Sequence, residues 1–415
     1  MDAAARNDPS ATRLLDRVTL HLALLALFAG FAQFGAVASL ADVARHFGHV
    51  SPTGSLSARV GLSSSVLGLG LAVLRLASLG ALPLASLADR WGRRRLLRDT
   101  LLVGLAVTAA AALSPSYWIF VACFALGRPL LSTASALLQV VTVELAGARR
   151  RVGRLAVVAA GSGAGSGLSA IVHGLIRSPS AFRWLFALAV LPAFGVAWLL
   201  RRVPEPPSRD ETVLARLGRI DPEFRGRLWR VAVVVGALGL IAGPANGFVF
   251  VYGESVLHVA PSRVALMVTS ASVTGLAGLL ASRYLAQRWG RWRTVSLGLA
   301  VSALAATAAY GGNVTLFVAG YLLGVGAGGL VTPVLTALGT EIFPHHLRAT
   351  AAGWLAVAGI VGATAGLGVF GLVGDAMHQS GPAALRWPAV VTFLPLAWTG
   401  LALRRLPDRS GAELA

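Results

Sequence analysis

Apolar runs about 20 residues long, separated by short polar links, recur along the whole chain. A run of that length crosses ~30 Å of hydrocarbon as an α-helix. The runs are continuous rather than alternating, which selects helices over barrel strands, whose lipid and lumen faces alternate. The pattern predicts spans at 18–41, 60–84, 96–113, 117–143, 152–176 and 181–200, then at 230–253, 263–283, 294–311, 314–340, 350–373 and 386–404. The expected fold class is an all-α membrane protein with 12 transmembrane helices. Residues 201–229, with Pro204, Pro206, Pro207 and mixed charges, are the longest polar link. The expected division is therefore an N-terminal six-helix bundle over 1–200, a cytoplasmic linker over 201–229 and a C-terminal six-helix bundle over 230–415. The first apolar run is too long for a signal-peptide core and leads into polar residues 42–57 without a clear small-residue cleavage site, so it reads as helix 1.

Composition supports the membrane reading. The 415 residues are 56% hydrophobic and 13% charged, about half the charged share of a soluble protein. Lys+Arg number 36 against 17 Asp+Glu, giving a net charge of +19, and every basic residue is Arg. Such a balance can signal nucleic-acid binding, but these arginines sit in the links between spans. The termini and the links on their side hold 28 of them; the opposite links hold six, and Arg75 and Arg128 lie inside spans. The positive-inside rule then makes the first side cytoplasmic and predicts a multi-pass protein of the cell inner membrane with both termini cytoplasmic. Cys123, the single cysteine, lies in an apolar span, which excludes an intrachain disulfide and argues against a cysteine metal site. No nucleophile elbow, His/acid metal cluster or phosphate-binding loop is visible, so no enzyme activity, cofactor or metal is expected.

The two halves repeat. Leu87-Ala88-Asp89-Arg90-Trp91-Gly92-Arg93 returns as Leu285-Ala286-Gln287-Arg288-Trp289-Gly290-Arg291 at an offset of 198. Phe120-Val121-Ala122 returns as Phe317-Val318-Ala319, and Glu144 and Arg151 return as Glu341 and Arg348, all at 197. Parallel duplication of a six-helix unit is a transporter pattern, with the substrate at the interface of the repeats near mid-membrane.

These residues resemble the major facilitator superfamily over nearly the whole chain. Its loop between helices 2 and 3 reads G-x-L-A-D-R-x-G-R-R-R; here Ala85-Ser86-Leu87-Ala88-Asp89-Arg90-Trp91-Gly92-Arg93-Arg94-Arg95 departs only in the first Gly. Gly127-Arg128 is similar to the family's intramembrane arginine motif. Glu341-Ile342-Phe343-Pro344 with Leu347-Arg348-Ala349-Thr350 resembles the E-x-F-P…R-A-T of sugar and metabolite porters. Val203-Pro204-Glu205 and the 406–411 tail resemble their P-E-S and P-E-T-x-G. The resemblance implies a major facilitator fold of two pseudo-symmetric six-helix bundles that moves a small solute by alternating access, with proton symport of a sugar or organic anion as the expected form. Its expected partners are that substrate, protons and the lipid bilayer, with no nucleic acid, and a monomer suffices. In helix 5, Gly161, Gly165, Ser166, Ser169 and Ala170 fit part of a drug-antiporter motif that lacks its Pro and paired glycines, so proton-coupled drug efflux is the alternative; such small residues also serve close helix packing.

Arg128 lies about 16 Å into helix 4 and so at mid-bilayer, where an arginine is costly unless paired or facing water. It is a candidate for proton coupling or for binding an anionic group, or else a tie to helix-end carbonyls. Its repeat counterpart is Val325. Arg75 in helix 2 shares a helix face with Asp89. Together with His21 and His173 as companions, the two arginines would make a cationic cavity. Gln33, which stands where many symporters of the superfamily carry Asp, joins Gln139, Asn246 and Tyr252 as a candidate neutral hydrogen-bonder to substrate. Asp42, Asp99, Glu254 and Asp375 all fall near predicted helix ends, leaving no acid clearly in mid-span. For the cytoplasmic gate the resemblance implies Asp89, Arg90, Gly92 and Arg93 as a latch, although topology alone would also retain the arginines. Glu144, Arg151, Glu341 and Arg348 are expected to join it as a pseudo-symmetric charge network, or else to be solvated helix ends.

Overall fold

A computed structural model describes residues 16–49, 60–146, 151–176, 180–205, 218–344, 347–377 and 381–405. All regular structure among them is helical. The first half contains α1 Arg17–Ala38, α2 Ser64–Ser86, α3 Arg93–Leu113, α4 Tyr117–Leu145, α5 Arg151–Leu175 and α6 Phe182–Arg201. The second contains α7 Pro222–Gly247, α8 Pro261–Trp289, α9 Arg291–Ala309, α10 Val314–Glu341 and α11 Arg348–Ala376. It ends with α12, Arg386–Phe393, which continues in 3-10 geometry over Leu394–Arg405. The first eleven are long and apolar enough to cross a membrane.

Local chemistry sets several helix starts. A short polar side chain before the first turn accepts a backbone N–H that has no partner within the helix. Asp16 Oδ1 accepts from Thr19 N at 2.8 Å, Ser63 Oγ from Val66 N at 3.2 Å, and Asn313 Oδ1 from Thr315 N at 2.7 Å. Exposed tryptophans such as Trp91, Trp118, Trp184, Trp289 and Trp387 stand at helix ends, the depth of the membrane interfaces.

Three boundaries depart from the sequence reading. α1 stops at Ser39, and a short helix, Leu40–Phe47, carries Asp42 and Arg45 where a polar loop was expected. α7 begins at Pro222, inside the expected linker, because Pro suits the first helical turn. Beyond α7 the chain forms a π-helical turn, Val251–Val256, that carries Tyr252 and Glu254. Such a turn adds a residue per turn and re-aims the side chains that follow.

The duplication is visible in the backbone. Gly92 and Gly290 both have φ +82° at the starts of α3 and α9, a conformation that side-chain-bearing residues rarely adopt. Phe120 and Phe317, a repeat pair, each anchor an aromatic cluster: Phe124, Phe182 and Phe186 surround the first, and Tyr252 meets the second. α1 packs on α5 and α7 on α11 through small residues.

Two seams join the halves, α2 with α11 and α5 with α8. Both lie toward the membrane face opposite the arginine-rich one, here called the far face. A Cβ on Gly68 would stand 2.5 Å from the Leu367 carbonyl oxygen, and one on Gly371 2.5 Å from that of Ser64. Only glycine permits this approach. On the second seam, a Cβ on Gly174 of α5 would stand 2.9 Å from the Ser262 Cα of α8.

Candidate functional site: a cationic mid-membrane region beneath a closed far face

Arg128 of α4 is half-buried at mid-span and reaches into the first bundle. Its Nε donates to Ser78 Oγ at 3.3 Å and its Nη1 to the Gln33 carbonyl at 3.1 Å. The guanidinium thus ties α1, α2 and α4 together, while its remaining N–H donors are left for a ligand or water. Gln33 donates to Ser135 Oγ at 2.9 Å and to the Leu131 carbonyl at 3.3 Å, so it braces α1 against α4. Gln139 is exposed on the α4 face that carries Arg128 and Ser135, since 11 residues turn the helix to within about 20°.

Arg75 lies on the α2 stripe that begins with Ser64 and Gly68, the residues packed on α11. Two turns below Gly68 this stripe carries Arg75 toward the other half. It is half-buried and makes no hydrogen bond or ion pair among the described residues. No carboxylate among the described residues lies in the middle of a span to offset Arg75 or Arg128.

In the second half, a cavity of about 260 Å³ opens between α7, α9 and α10, lined by Asn246, Ser302, Tyr310, Tyr321 and Thr332 among small apolar residues. Tyr321 donates to Asn246 Oδ1 at 2.9 Å, while Asn246 Nδ2 donates to the Ala242 carbonyl at 2.8 Å. Tyr310 donates to the carbonyls of Pro244 and Ala245 in the last turn of α7.

Tyr252 belongs elsewhere. It is fully buried near the far face, donates to the Pro382 carbonyl at 3.0 Å and accepts from Gly312 N at 2.9 Å. Both capacities of its hydroxyl are committed to loop backbone, which corrects its assignment to substrate. His21 and His173 do not join Arg128 either. His21 stands edge-on to Trp198 at 6.1 Å, near the arginine-rich face, and His173 lies at the far end of α5.

The far-face closure is polar as well as tight. His173 Nε2 is 2.7 Å from Glu254 Oε1, and its Nδ1 is 3.3 Å from Asp42 Oδ2. Arg45 reaches Glu254 at 3.4 Å, Ser255 Oγ at 3.3 Å and Asp42 at 3.5 Å. On the second seam, Asp375 of α11 accepts from Ser64 N at 2.8 Å and Ser65 N at 3.0 Å, capping α2 from the opposite half. Among the described residues, the ion pairs that cross between halves, Arg45–Glu254 and His173–Glu254, are both at this face. The sequence marked these acids only as helix ends. The one local signal was the Asp42/Arg45 spacing, and nothing linear links Arg45 to a residue 209 positions away.

At the arginine-rich face the ion pairs and side-chain hydrogen bonds among the described residues stay within each half. Arg93 and Glu144 form a buried pair at 2.5 Å between α3 and α4. Arg154 pairs with Asp16 at 2.7 Å and donates to the Leu145 carbonyl at 3.2 Å. Arg94 N donates to Glu205 Oε1 at 3.3 Å, and Arg348 Nε to the Phe343 carbonyl at 3.3 Å. Arg90 is exposed. The side chains of Asp89, Arg151 and Glu341, and with them the rest of the expected latch, lie outside the described residues.

The sequence profile of the Major Facilitator Superfamily matches residues 22–366 and 242–413. The chain belongs to the major facilitator superfamily. Among curated proteins, none matches the sequence. Solved structures of the superfamily share the fold. A bacterial homolog of the human lysosomal transporter Spinster, in an inward-facing and occupied conformation, is 16% identical, with 93% of this chain and 96% of that one aligned and a TM-score of 0.72. The nucleoside transporter NupG is 13% identical over 94% and 100%, with a TM-score of 0.70. A D-xylose-proton symporter is 19% identical over 97% and 100%, with a TM-score of 0.73. The chain is thus a multi-spanning transporter of the superfamily, built as two six-helix halves.

Proposed function

We propose that this transporter carries a small organic anion across the cell inner membrane by alternating access, coupled to protons. The observation that carries this reading is the pair of mid-membrane arginines with no mid-span carboxylate among the described residues to balance them. An uncompensated guanidinium in a water-filled membrane cavity attracts an anionic group, and Arg is suited to hold a carboxylate through two parallel hydrogen bonds. Arg128 and Arg75 would hold the charged end, with Gln139 on the same wall. Asn246, paired with Tyr321, would face the neutral end from the other half. A sugar substrate needs neutral hydrogen-bonders and gives no role to Arg75. The arginine bias argues for cytoplasmic termini, which makes the far face the outer one and the present state inward-facing in this reading. In the topology proposed, residues 201–229 join two bundles, 1–200 and 230–415, at the cytoplasmic surface, and Arg93–Glu144 belongs to the gate that closes when the cavity turns outward.

The helix 5 glycines that suggested drug efflux have a packing role. A Cβ on Gly161 or Gly165 would collide with the backbone of Ala23 or Leu27, so these glycines serve the packing of α5 on α1. The test is uptake into proteoliposomes, with a panel of organic carboxylates and neutral sugars and an inward proton gradient. Carboxylate uptake that Arg128→Ala and Arg75→Ala each abolish supports the proposal. Uptake of neutral sugars alone, or carboxylate uptake undiminished by either change, overturns it.

A further inference from the structure

We infer that Asp42, His173 and Glu254 form a proton-binding site whose occupancy is required to close the outer side of the transporter. The inference rests on the alternating-access reading and the inward-facing assignment above. It names the residues that take up the proton, which that reading leaves unassigned.

An ionised carboxylate only accepts hydrogen bonds, and a neutral imidazole has one N–H and one bare lone pair. Here both ring nitrogens of His173 face carboxylate oxygens, at 2.7 Å and 3.3 Å. With neutral histidine and two ionised acids, one of these contacts would set lone pair against lone pair. The closed arrangement is satisfied only if the ring carries both N–H groups or one acid is protonated. Either way it holds one proton more than a neutral histidine and two carboxylates, whatever the tautomer.

Burial makes that proton count. His173 and Glu254 side chains are each 2% exposed. With the proton, the cluster balances two anions against imidazolium and Arg45; without it, a net negative charge is buried, and an uncompensated buried charge is costly. The cluster also spans the two halves. Asp42 and Arg45 follow α1 and His173 ends α5, all in the first half, while Glu254 sits on the π-helical turn after α7. Outer opening must pull Glu254 from His173 and leave a water-exposed imidazole, which titrates near ~6.5. Closure therefore takes up a proton from outside above that pH.

The neighbouring groups do not supply an alternative. His46 lies 3.4 Å from Arg183 of α6 and is exposed, as are His49, His258 and Arg263 of α8. From α4, Tyr117 commits its hydroxyl to the Val66 carbonyl. On the face of His173, the ring of Phe250 packs edge-on at 5.4 Å.

Spin labels at Trp118→Cys and Leu316→Cys, in a Cys123→Ser background, report the distance between the outer ends of α4 and α10 without any substrate. Between about pH 5 and pH 9 the closed-to-open ratio is expected to fall, approaching about tenfold per pH unit above ~6.5, as linkage to one proton requires. Glu254→Gln and Asp42→Asn each supply an amide N–H to the bare ring nitrogen. Both variants are therefore expected to stay closed at high pH. A wild-type distribution unchanged by pH overturns the inference. So does a variant that titrates like wild type, or one that opens at every pH as a lost structural link would. If uptake fails while the distances titrate as described, the transport reading falls and the proton site stands.

Discussion

Asp375→Ala isolates one element of the outer closure. Asp375 caps two first-turn N–H groups of α2 from the opposite half, at 2.8 Å and 3.0 Å, so its bonds exist only while the outer seam is shut. Hydrogen bonds to a charged acceptor contribute roughly 1.5–3 kcal/mol, and capping residues lose about 0.5–2 kcal/mol on replacement by Ala. Because Asp375 is half-buried and the freed N–H groups find water on opening, the lower end applies: about 1–2 kcal/mol of preference for the closed state. That corresponds to an open population raised about 5- to 30-fold. The assay is the rate at which a membrane-impermeant maleimide, added outside, modifies a thiol at Ser64→Cys in the Cys123→Ser background. Ser64 is buried in the seam, and when opening is fast the rate follows the open fraction. Asp375→Asn, which keeps one acceptor oxygen, should fall between. If Asp375→Ala labels no faster than its parent, the cross-half cap contributes nothing and the reasoning fails.

Gly371→Val should prevent outer closure more severely, because its side chain meets the Ser64 backbone rather than a movable group; outside labelling at Ser64→Cys should become rapid and transport should stop. Tyr252→Phe should lower thermal stability by about 1–2 kcal/mol through the orphaned Gly312 N–H and Pro382 carbonyl. It should leave the KM for substrate unchanged, and a large KM shift would return Tyr252 to the binding site. Glu144→Ala removes a buried ion-pair partner of Arg93; detergent-solubilised protein should melt below wild type, and an unshifted Tm would refute the buried-pair account. Tyr321→Phe removes the donor to Asn246 Oδ1 and should alter KM several-fold, measured as proteoliposome uptake, if the second-half cavity holds part of the substrate.

The linear sequence was sufficient for everything that depends on periodicity and local chemistry. Apolar runs of bilayer length must be helical because lipid satisfies no backbone polar group, so twelve helices could be placed, most of them to within a few residues, with α7 and the end of α8 further off. Duplication showed in the motif pairs, and Gly92 and Gly290 proved to share one backbone conformation for the reason a glycine is needed there. Arg128 and Arg75 stood out because charge inside a span is rare. Tertiary structure alone decided which polar residues meet. Tyr252 looked like a cavity residue until the π-helical turn swung it into the loop backbone. Asp42, Glu254 and Asp375 looked like helix ends, yet each closes a contact across residues far apart in the chain. Periodicity fixes which face of one helix is polar, but a bundle chooses partners by how the halves dock. That choice depends on close glycine approaches and on the pairing of buried donors with acceptors, neither of which is written in the spacing along a single segment.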